Sequence, residues 1–177
     1  MRLKEFLVIC NYAGGDFQEE IQKAKRPEKV GGIRTPSTLN DLTMGELMQL
    51  QGISSEREMI LVPCRVLLGL DERKVMRSEA YDVLAFVFWA AREVERINKL
   101  FASTNVPPTP EEKQAGAGKM NFGMFGLIDY YAQRMGITDH EAVEYVPWVR
   151  VYKCLDMDAQ RIRMDRRLRK VLERRKK

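Results

Sequence analysis

The chain contains few of the residues from which metal and catalytic centres are built. It has one histidine, His140, and three cysteines, Cys10, Cys64 and Cys154, which lie far apart and form no Cys-x-x-Cys pair. A structural zinc site needs several clustered Cys or His ligands, and a disulfide framework needs an even number of cysteines. The sequence therefore predicts separate reduced thiols, no metal site and no cofactor.

Long hydrophobic runs are also missing. The longest unbroken apolar stretch covers nine residues, 83–91, whereas a membrane-spanning helix needs about 20. The apolar run near the N-terminus has about five residues, fewer than the roughly 7–15 of a signal peptide. We therefore expect no membrane segment and a cytoplasmic protein.

Catalytic motifs are incomplete. Residues 116–119, GAGK, resemble part of a phosphate-binding loop, but that motif requires glycine where Lys113 stands and Ser or Thr where Met120 stands. The histidine lies between two acidic residues, and we expect it in the solvated first turn of a helix. Because no set of nucleophile, acid and base can be assembled, the sequence predicts a protein that is not an enzyme.

Positive charge, by contrast, is concentrated at one end. Residues 161–177 contain ten Lys or Arg and two acids, a net charge of +8, while the whole chain is +5 and residues 1–160 are −3. Such a tail contacts nucleic-acid phosphates, docks on an acidic protein surface, or is a solvated helix end. No aromatic residue follows Tyr152, which disfavours single-strand binding because stacking platforms are missing. We define the charged arm as Arg161, Arg163, Arg166, Arg167, Arg169 and Lys170.

Helical signals dominate from residue 38 onward. Capping boxes begin at Thr43, Ser55 and Thr138, and each predicts a helix start. Pro63 is expected to kink or divide the second of these helices. Ser78 is expected to open a central helix, running to about residue 101, whose middle is apolar on nearly every face and forms the centre of the core.

The region before residue 38 is less regular. Residues 3–12 favour a short strand, residues 16–25 a short helix, and residues 27–37 an extended loop with two prolines and two glycines. Residues 103–119 contain three prolines and two glycines and predict a linker. The expected organisation is an N-terminal helical core (1–102), this linker, and a C-terminal helical lobe with the basic tail (120–177).

The last helix is expected to begin near Pro147 and to be amphipathic. Its apolar stripe has spacings of 4, 3, 4 and 3 residues and comprises Trp148, Tyr152, Leu155, Ala159 and Ile162. It thins towards Leu168 as the charge rises. The candidate protein-binding residues are Trp148, Tyr152, Leu155, Ile162 and Leu168, which either close the lobe or bind a partner. The fold class is mainly α, a multi-helix bundle with a long amphipathic basic C-terminal helix.

Two stretches of the chain have a familiar arrangement of motifs. Residues 36–101 begin PSTLNDLTMGELMQL, continue through MILVPCRVLLGLDERKVM and close with INKLF, and this stretch resembles a diverse group of small helical proteins of tailed bacteriophages. Residues 122–172 form a Phe-Gly-rich helix, a short capped helix and a Trp-bearing helix that becomes highly charged, which is similar to phage tail assembly chaperones. The resemblance covers about two-thirds of the chain and is one of pattern, without an invariant motif.

The resemblance implies a non-enzymatic role in the host cytoplasm. Tail assembly chaperones coat the elongated helical tape-measure protein and keep it soluble until the tail tube forms. The expected partners are a tape-measure or other tail protein, with a homo-oligomer also open. The alternatives are a virion structural component, such as a connector or ring protein, and a nucleic-acid-binding protein that uses the basic C-terminal helix.

Overall fold

The computed structural model describes the backbone of residues 1–13 and 24–175 and, apart from residues 10–13 and 118, their side chains. This part of the chain forms nine α-helices, one 3-10 turn and one short hairpin, so the prediction of a mainly α, multi-helix fold is confirmed. The helices are α1 (Leu3–Ala13), α2 (Met44–Gln51), α3 (Glu56–Leu68), α4 (Glu72–Arg77), α5 (Ala80–Ser103), α6 (Pro110–Gln114), α7 (Gly123–Met135), α8 (His140–Glu144) and α9 (Trp148–Arg175). The hairpin pairs β1 (Lys29–Val30) with β2 (Ile33–Arg34), and the 3-10 turn covers Ala117–Lys119.

The described residues divide into two compact units, each built from two chain segments. The first unit comprises residues within Met1–Leu39 and Glu46–Arg96, and the second those within Asn40–Gly45 and Ile97–Lys177. The segment 103–119, which the sequence predicts to be a linker, lies wholly inside the second unit. It is also partly helical, because α5 extends to Ser103 and α6 begins at Pro110.

The core of the first unit forms where α1, α3, α4 and the middle of α5 meet the hairpin. Its fully or nearly fully buried residues are Leu3, Val30, Cys64, Leu68, Leu70, Val75, Ala80, Val83, Phe86 and Val87. Phe86 stacks on Trp89 with ring centroids 5.7 Å apart. The apolar middle of α5 is therefore a centre of the core, as its sequence predicts.

The predicted strand at residues 3–12 is wrong, because these residues form α1. The Arg2 carbonyl accepts hydrogen bonds from the amides of Glu5 and Phe6, and the Glu5 carboxylate accepts one from the Arg2 amide. Leu3 is fully buried, and its amide donates to the Ser78 carbonyl at 2.9 Å. A ten-residue segment contains too few turns for the spacing of its apolar residues to distinguish a helix from a strand. Contacts with a distant part of the chain therefore decide its conformation.

The segments next to α1 also depart from the sequence interpretation. Residues 16–23 of the helix predicted at 16–25 lie outside the described residues. The predicted loop at 27–37 contains the β1–β2 hairpin, whose turn residues Gly31 and Gly32 have φ of 57° and 82°. Two successive positive φ angles are the geometry of tight hairpin turns, and glycine adopts them without steric strain.

Helix α3 begins and ends at its predicted signals. The Ser55 hydroxyl accepts from the Glu58 amide, and Gly69 closes the helix in the left-handed conformation at φ 62°. Pro63 is buried within the helix and does not divide it. Ser78 does not open α5, because that helix begins at Ala80. The Ser78 hydroxyl instead donates a hydrogen bond to the Lys74 carbonyl of α4.

In the second unit, a short segment before α2 pairs with the start of α9. The Met44 amide donates to the Val146 carbonyl at 2.8 Å, and the Trp148 amide donates to the Leu42 carbonyl at 3.0 Å. The approach is close: a Cβ atom at Gly45 would lie 3.2 Å from the Glu144 carbonyl oxygen. These bonds position the first turn of α9. Among residues 1–13 and 24–175, no helix is both long and apolar enough to cross a membrane.

Candidate functional site

The first half of α9 packs one face into the core of the second unit. Trp148 is 2% exposed, and Val151 and Ala159 are also buried. The Phe101 ring lies with its centroid 5.9 Å from those of both Trp148 and Tyr152. The predicted binding residues Trp148 and Tyr152 therefore belong to an aromatic cluster that holds α9 in place, and Trp148 offers no surface to a partner.

A polar network joins α7 to α9 beside this cluster. The Asp158 carboxylate accepts hydrogen bonds from the Tyr130 hydroxyl and the Arg134 guanidinium, and Arg161 lies 3.5 Å away. The hydrogen bond from Tyr130, together with the one from Arg134, holds the pKa of Asp158 below its usual value. Desolvation and the hydrogen bond to Asp158 raise the pKa of Tyr130 to about 12. At neutral pH the network is an ionised carboxylate with two donors.

Two residues of the charged arm turn towards their own chain. The Arg163 guanidinium donates to the carbonyl oxygens of Ser103 at 2.7 Å and Asn105 at 3.2 Å. The Arg166 guanidinium donates to the Pro107 carbonyl at 2.6 Å and to the Glu112 carboxylate at 2.9 Å. These contacts fasten the segment 103–112 along α9. Arg163 and Arg166 therefore have a structural role, which the sequence did not indicate.

The segment they fasten is itself ordered by a local cap. The Thr109 hydroxyl accepts from the Glu112 amide, and the Glu112 carboxylate accepts from the Thr109 amide, which completes a capping box at the start of α6. Glu112 thus accepts from both Arg166 and its own helix start. The other members of the charged arm, Arg161, Arg167, Arg169 and Lys170, are exposed.

A second apolar stripe lies on the opposite side of α9 and faces outward. We call it the outward stripe, and its members are Met157, Met164, Leu168, Val171 and Leu172. Each is between 46% and 51% exposed. At 100° per residue they fall within an arc of about 100°, centred roughly opposite Trp148 and Ala159. The helix is therefore apolar on two faces, one covered by its own unit and one exposed.

The remaining candidate residues divide between the two faces. Leu168 belongs to the outward stripe. Leu155 and Ile162 lie on the inward side, where they line a groove together with Phe101 and Tyr130, and Ile162 is still 43% exposed there. The sequence interpretation missed Met157 and Val171, although the spacing of residues 157, 164, 168 and 171 is a helical signal that a search for a second stripe would find.

The charges around the outward stripe are mostly positive. Arg167 and Arg174 border one edge of the stripe on the helical wheel. Arg161 falls within its arc, between Leu168 and Leu172, and Asp158, Asp165 and Arg169 lie beyond the other edge. A shallow depression on this side of the helix is lined by Met157, Gln160, Arg161, Arg163, Met164 and Arg167. The surface is thus an apolar strip with a basic border on one side and charges of both signs on the other.

An exposed aromatic patch occurs at the start of α7. Phe122 is 69% exposed and Phe125 is 60% exposed. His140 lies edge-on to Phe125 with centroids 5.1 Å apart, and its Nε2 is 3.2 Å from an Asp129 oxygen. As predicted, His140 is an exposed residue in the first turn of a helix.

The described residues contain no group of three or more His, Cys, Asp or Glu side chains arranged to hold a metal ion. Comparison of the chain with protein-family models, curated proteins and solved structures finds no match. The function is therefore argued from the surfaces of the molecule. Of these, the outward stripe of α9 combines the most exposed apolar side chains in a regular helical arrangement.

Proposed function

We propose that the protein is a non-enzymatic assembly factor that binds a helical segment of another protein through the outward stripe of α9. The supporting observation is the exposure of five apolar side chains at helical spacing on one face of a 28-residue helix. Such a strip matches one apolar face of a second helix, which is a recurring mode of peptide recognition. Water would otherwise surround these side chains, so covering them favours association.

The resemblance to tail assembly chaperones supports a more specific proposal. In it, the client is an elongated helical tail protein such as a tape-measure protein, bound in the host cytoplasm before the tail is completed. Two of the five stripe residues, Met157 and Met164, are methionines. Their flexible side chains adapt to varied apolar surfaces, which suits a client with many similar helical segments.

Co-expression tests this proposal. The wild-type chain is produced together with a long helical tape-measure protein of a tailed bacteriophage, and the soluble fraction of that client is measured. We expect the client to remain soluble and to co-purify with the wild-type chain. A client that stays insoluble, or that is soluble but does not co-purify, contradicts the proposal.

A pair of variants links the result to the stripe. The double variant Met164→Gln/Leu168→Gln keeps charge and helix propensity but removes apolar surface, and we expect it to lose the client. Met59→Gln is the control, because Met59 is 52% exposed on a different helix and Met164 is 51% exposed. If both variants lose the client equally, the effect is not specific to α9.

Nucleic-acid binding is the second candidate, since Arg167, Arg169 and Lys170 are exposed at neighbouring positions. Each phosphate contact would release counterions and make the affinity fall steeply with salt. Fluorescence anisotropy with duplex DNA tests this. Binding that persists at about 0.1 M salt and disappears in Arg167→Gln/Arg169→Gln would favour it, and we expect no such binding.

A further inference from the structure

The charges beside the outward stripe restrict what can cover it. Arg167 and Arg174 border one edge of the stripe, and Arg161 falls within its arc. The other edge carries Asp158, Asp165 and Arg169, which leaves two more cations than acids around the stripe. When an apolar strip is covered, its bordering charges come close to the partner and lose part of their hydration. A partner with acidic borders replaces that hydration by opposite charge, whereas a neutral or basic partner does not.

We propose that the outward stripe binds an acidic amphipathic helix of a partner protein. The inference rests on the proposed protein-binding function and specifies the chemistry of its client. The stripe from Met157 to Leu172 is about 22 Å long at 1.5 Å per residue. It therefore matches about four turns of a partner helix, with apolar residues at intervals of three and four and with Asp or Glu on the side that faces Arg167 and Arg174.

A second copy of the chain does not meet this requirement. Residues 161–177 have a net charge of +8, so pairing two outward stripes would place two strongly basic helices side by side. Charges at that separation lie within the Debye length of about 8 Å at physiological salt and repel each other. Coiled-coil partners are selected by the charges that border their apolar seams, and these borders disfavour self-pairing.

A lipid surface and a nucleic acid match the stripe less well. Helices that lie in a membrane interface insert aromatic and bulky apolar residues over a broad face. The outward stripe covers an arc of about 100°, and residues 153–177 contain no aromatic residue. A nucleic acid would contact the arginines but leave the apolar strip uncovered, because binding bases without aromatic side chains gains little.

Three synthetic helical peptides of about three heptads test the proposal against the full-length protein. The first has a Leu stripe bordered by Glu, the second has the same stripe bordered by Lys, and the third has the Glu borders with Gln in place of Leu. Binding is measured by fluorescence anisotropy. We expect the first peptide to bind at least about tenfold more tightly than either of the others.

Two sets of variants assign the binding to this surface. Met164→Gln/Leu168→Gln should lower the affinity for the first peptide by about tenfold or more, with Met59→Gln as the control. Arg161→Gln/Arg167→Gln/Arg169→Gln should lower this affinity similarly and make it less dependent on salt concentration. The matched charge control is Arg65→Gln/Arg73→Gln/Arg77→Gln, three exposed arginines of the first unit. Circular dichroism confirms that each variant retains its helix content.

The outcomes separate this proposal from the proposed function. If the client co-purifies but the Lys-bordered peptide binds as tightly as the Glu-bordered one, the acidic-helix inference is wrong and protein binding stands. If no peptide binds and no client is retained, both fail. Tighter binding to phosphatidylserine vesicles or to duplex DNA than to the first peptide overturns the inference in favour of a lipid or nucleic-acid surface.

Discussion

At the scale of single residues, Asp158 connects two helices of the second unit. Its carboxylate accepts from Tyr130 and Arg134 on α7 while it projects from α9. Because both donors favour the ionised form, the pKa of Asp158 is lower in the folded chain than in the unfolded chain. A lowered carboxyl pKa stabilises the fold above the unfolded pKa, and that stabilisation is lost as the pH falls through the folded pKa.

The first prediction follows from this carboxylate. Asp158→Asn should lower the free energy of unfolding at pH 7 by about 1–2 kcal/mol, because hydrogen bonds to a charged acceptor are lost. The difference from wild type should shrink below about pH 4, where the unfolded carboxyl group becomes protonated. Urea unfolding measured from pH 7 to pH 2 checks both statements.

Asp156→Asn is the matched control for this prediction. Asp156 lies on the same helix and accepts from Gln160, one turn away. Its substitution should change stability by less than about 0.5 kcal/mol. A difference between wild type and Asp158→Asn that stays constant down to pH 2 would show that the carboxylate charge is not responsible.

The cysteines follow their sequence interpretation where the structure describes them. Cys64 is fully buried in the first unit, and burial raises the pKa of its thiol to about 12. A protonated, buried thiol is a poor nucleophile, so Cys64 acts as a small apolar side chain. Cys154 is half-buried and has a free thiol. The side chain of Cys10 lies outside the described residues.

At the scale of elements, α9 combines three tasks on one helix. Its first turns complete the core through Trp148, its middle fastens the segment 103–112 through Arg163 and Arg166, and its outward stripe remains exposed. The tasks lie on different faces because residues three and four apart share a face while their neighbours do not. The residues of the basic segment therefore lie on different faces of α9 and have different roles.

The second prediction concerns the fastened segment. In Arg163→Gln/Arg166→Gln, the carbonyls of Ser103, Asn105 and Pro107 lose their donors. We expect amide hydrogen exchange across residues 104–116 to accelerate several-fold, because local opening of this segment no longer breaks charged hydrogen bonds. Exchange measured by mass spectrometry at neutral pH checks this.

The control uses exposed arginines of the same helix. Arg167→Gln/Arg169→Gln removes equal charge close by, and exchange across residues 104–116 should match wild type. Similar acceleration in both double variants would mean that net charge, and not the two inward guanidinium groups, orders the segment.

At the scale of the whole molecule, the two units do not correspond to two consecutive stretches of chain. The second unit includes the segment 40–45, which comes before most of the first unit in sequence. It also includes the end of α5, whose Phe101 packs against Trp148. The second unit is thus incomplete without residues that precede the predicted linker.

The third prediction follows from this arrangement. A fragment of residues 103–177 lacks the carbonyl of Leu42 that accepts from Trp148 and lacks the Phe101 ring. We expect it to show reduced helicity and no cooperative thermal transition by circular dichroism, because its core aromatic residues have lost their partners. A fragment of residues 1–102 is produced alongside it, and mixing the two should recover part of the lost helicity.

A cooperative transition in the isolated fragment 103–177 would contradict this prediction. It would instead support the division into residues 1–102, a linker and residues 120–177 that the composition predicts. The experiment therefore decides between two domain boundaries. One is predicted from the prolines and glycines of residues 103–119, and the other follows from the contacts in the folded chain.

Local signals in the sequence were sufficient for many helix ends. Asp71 accepts from the Lys74 amide as the cap of α4, and Gly136 closes α7 with φ of 66°. Caps of this kind involve groups within about four residues of each other, so a short window contains the whole interaction. The conformation of α1 was not predictable in this way, since its first residue is buried against Ser78.

The sequence by itself determined that this chain is mainly helical, where most of its helices begin and end, and that positive charge gathers in the last helix. Those properties depend on local hydrogen bonds and on composition. Only the tertiary structure decided that Trp148 is a core residue, that Arg163 and Arg166 fasten the segment 103–112, and that Met157, Met164 and Leu168 remain exposed. Each of these depends on side chains or carbonyls tens of residues away, and helical periodicity alone does not specify which face they cover.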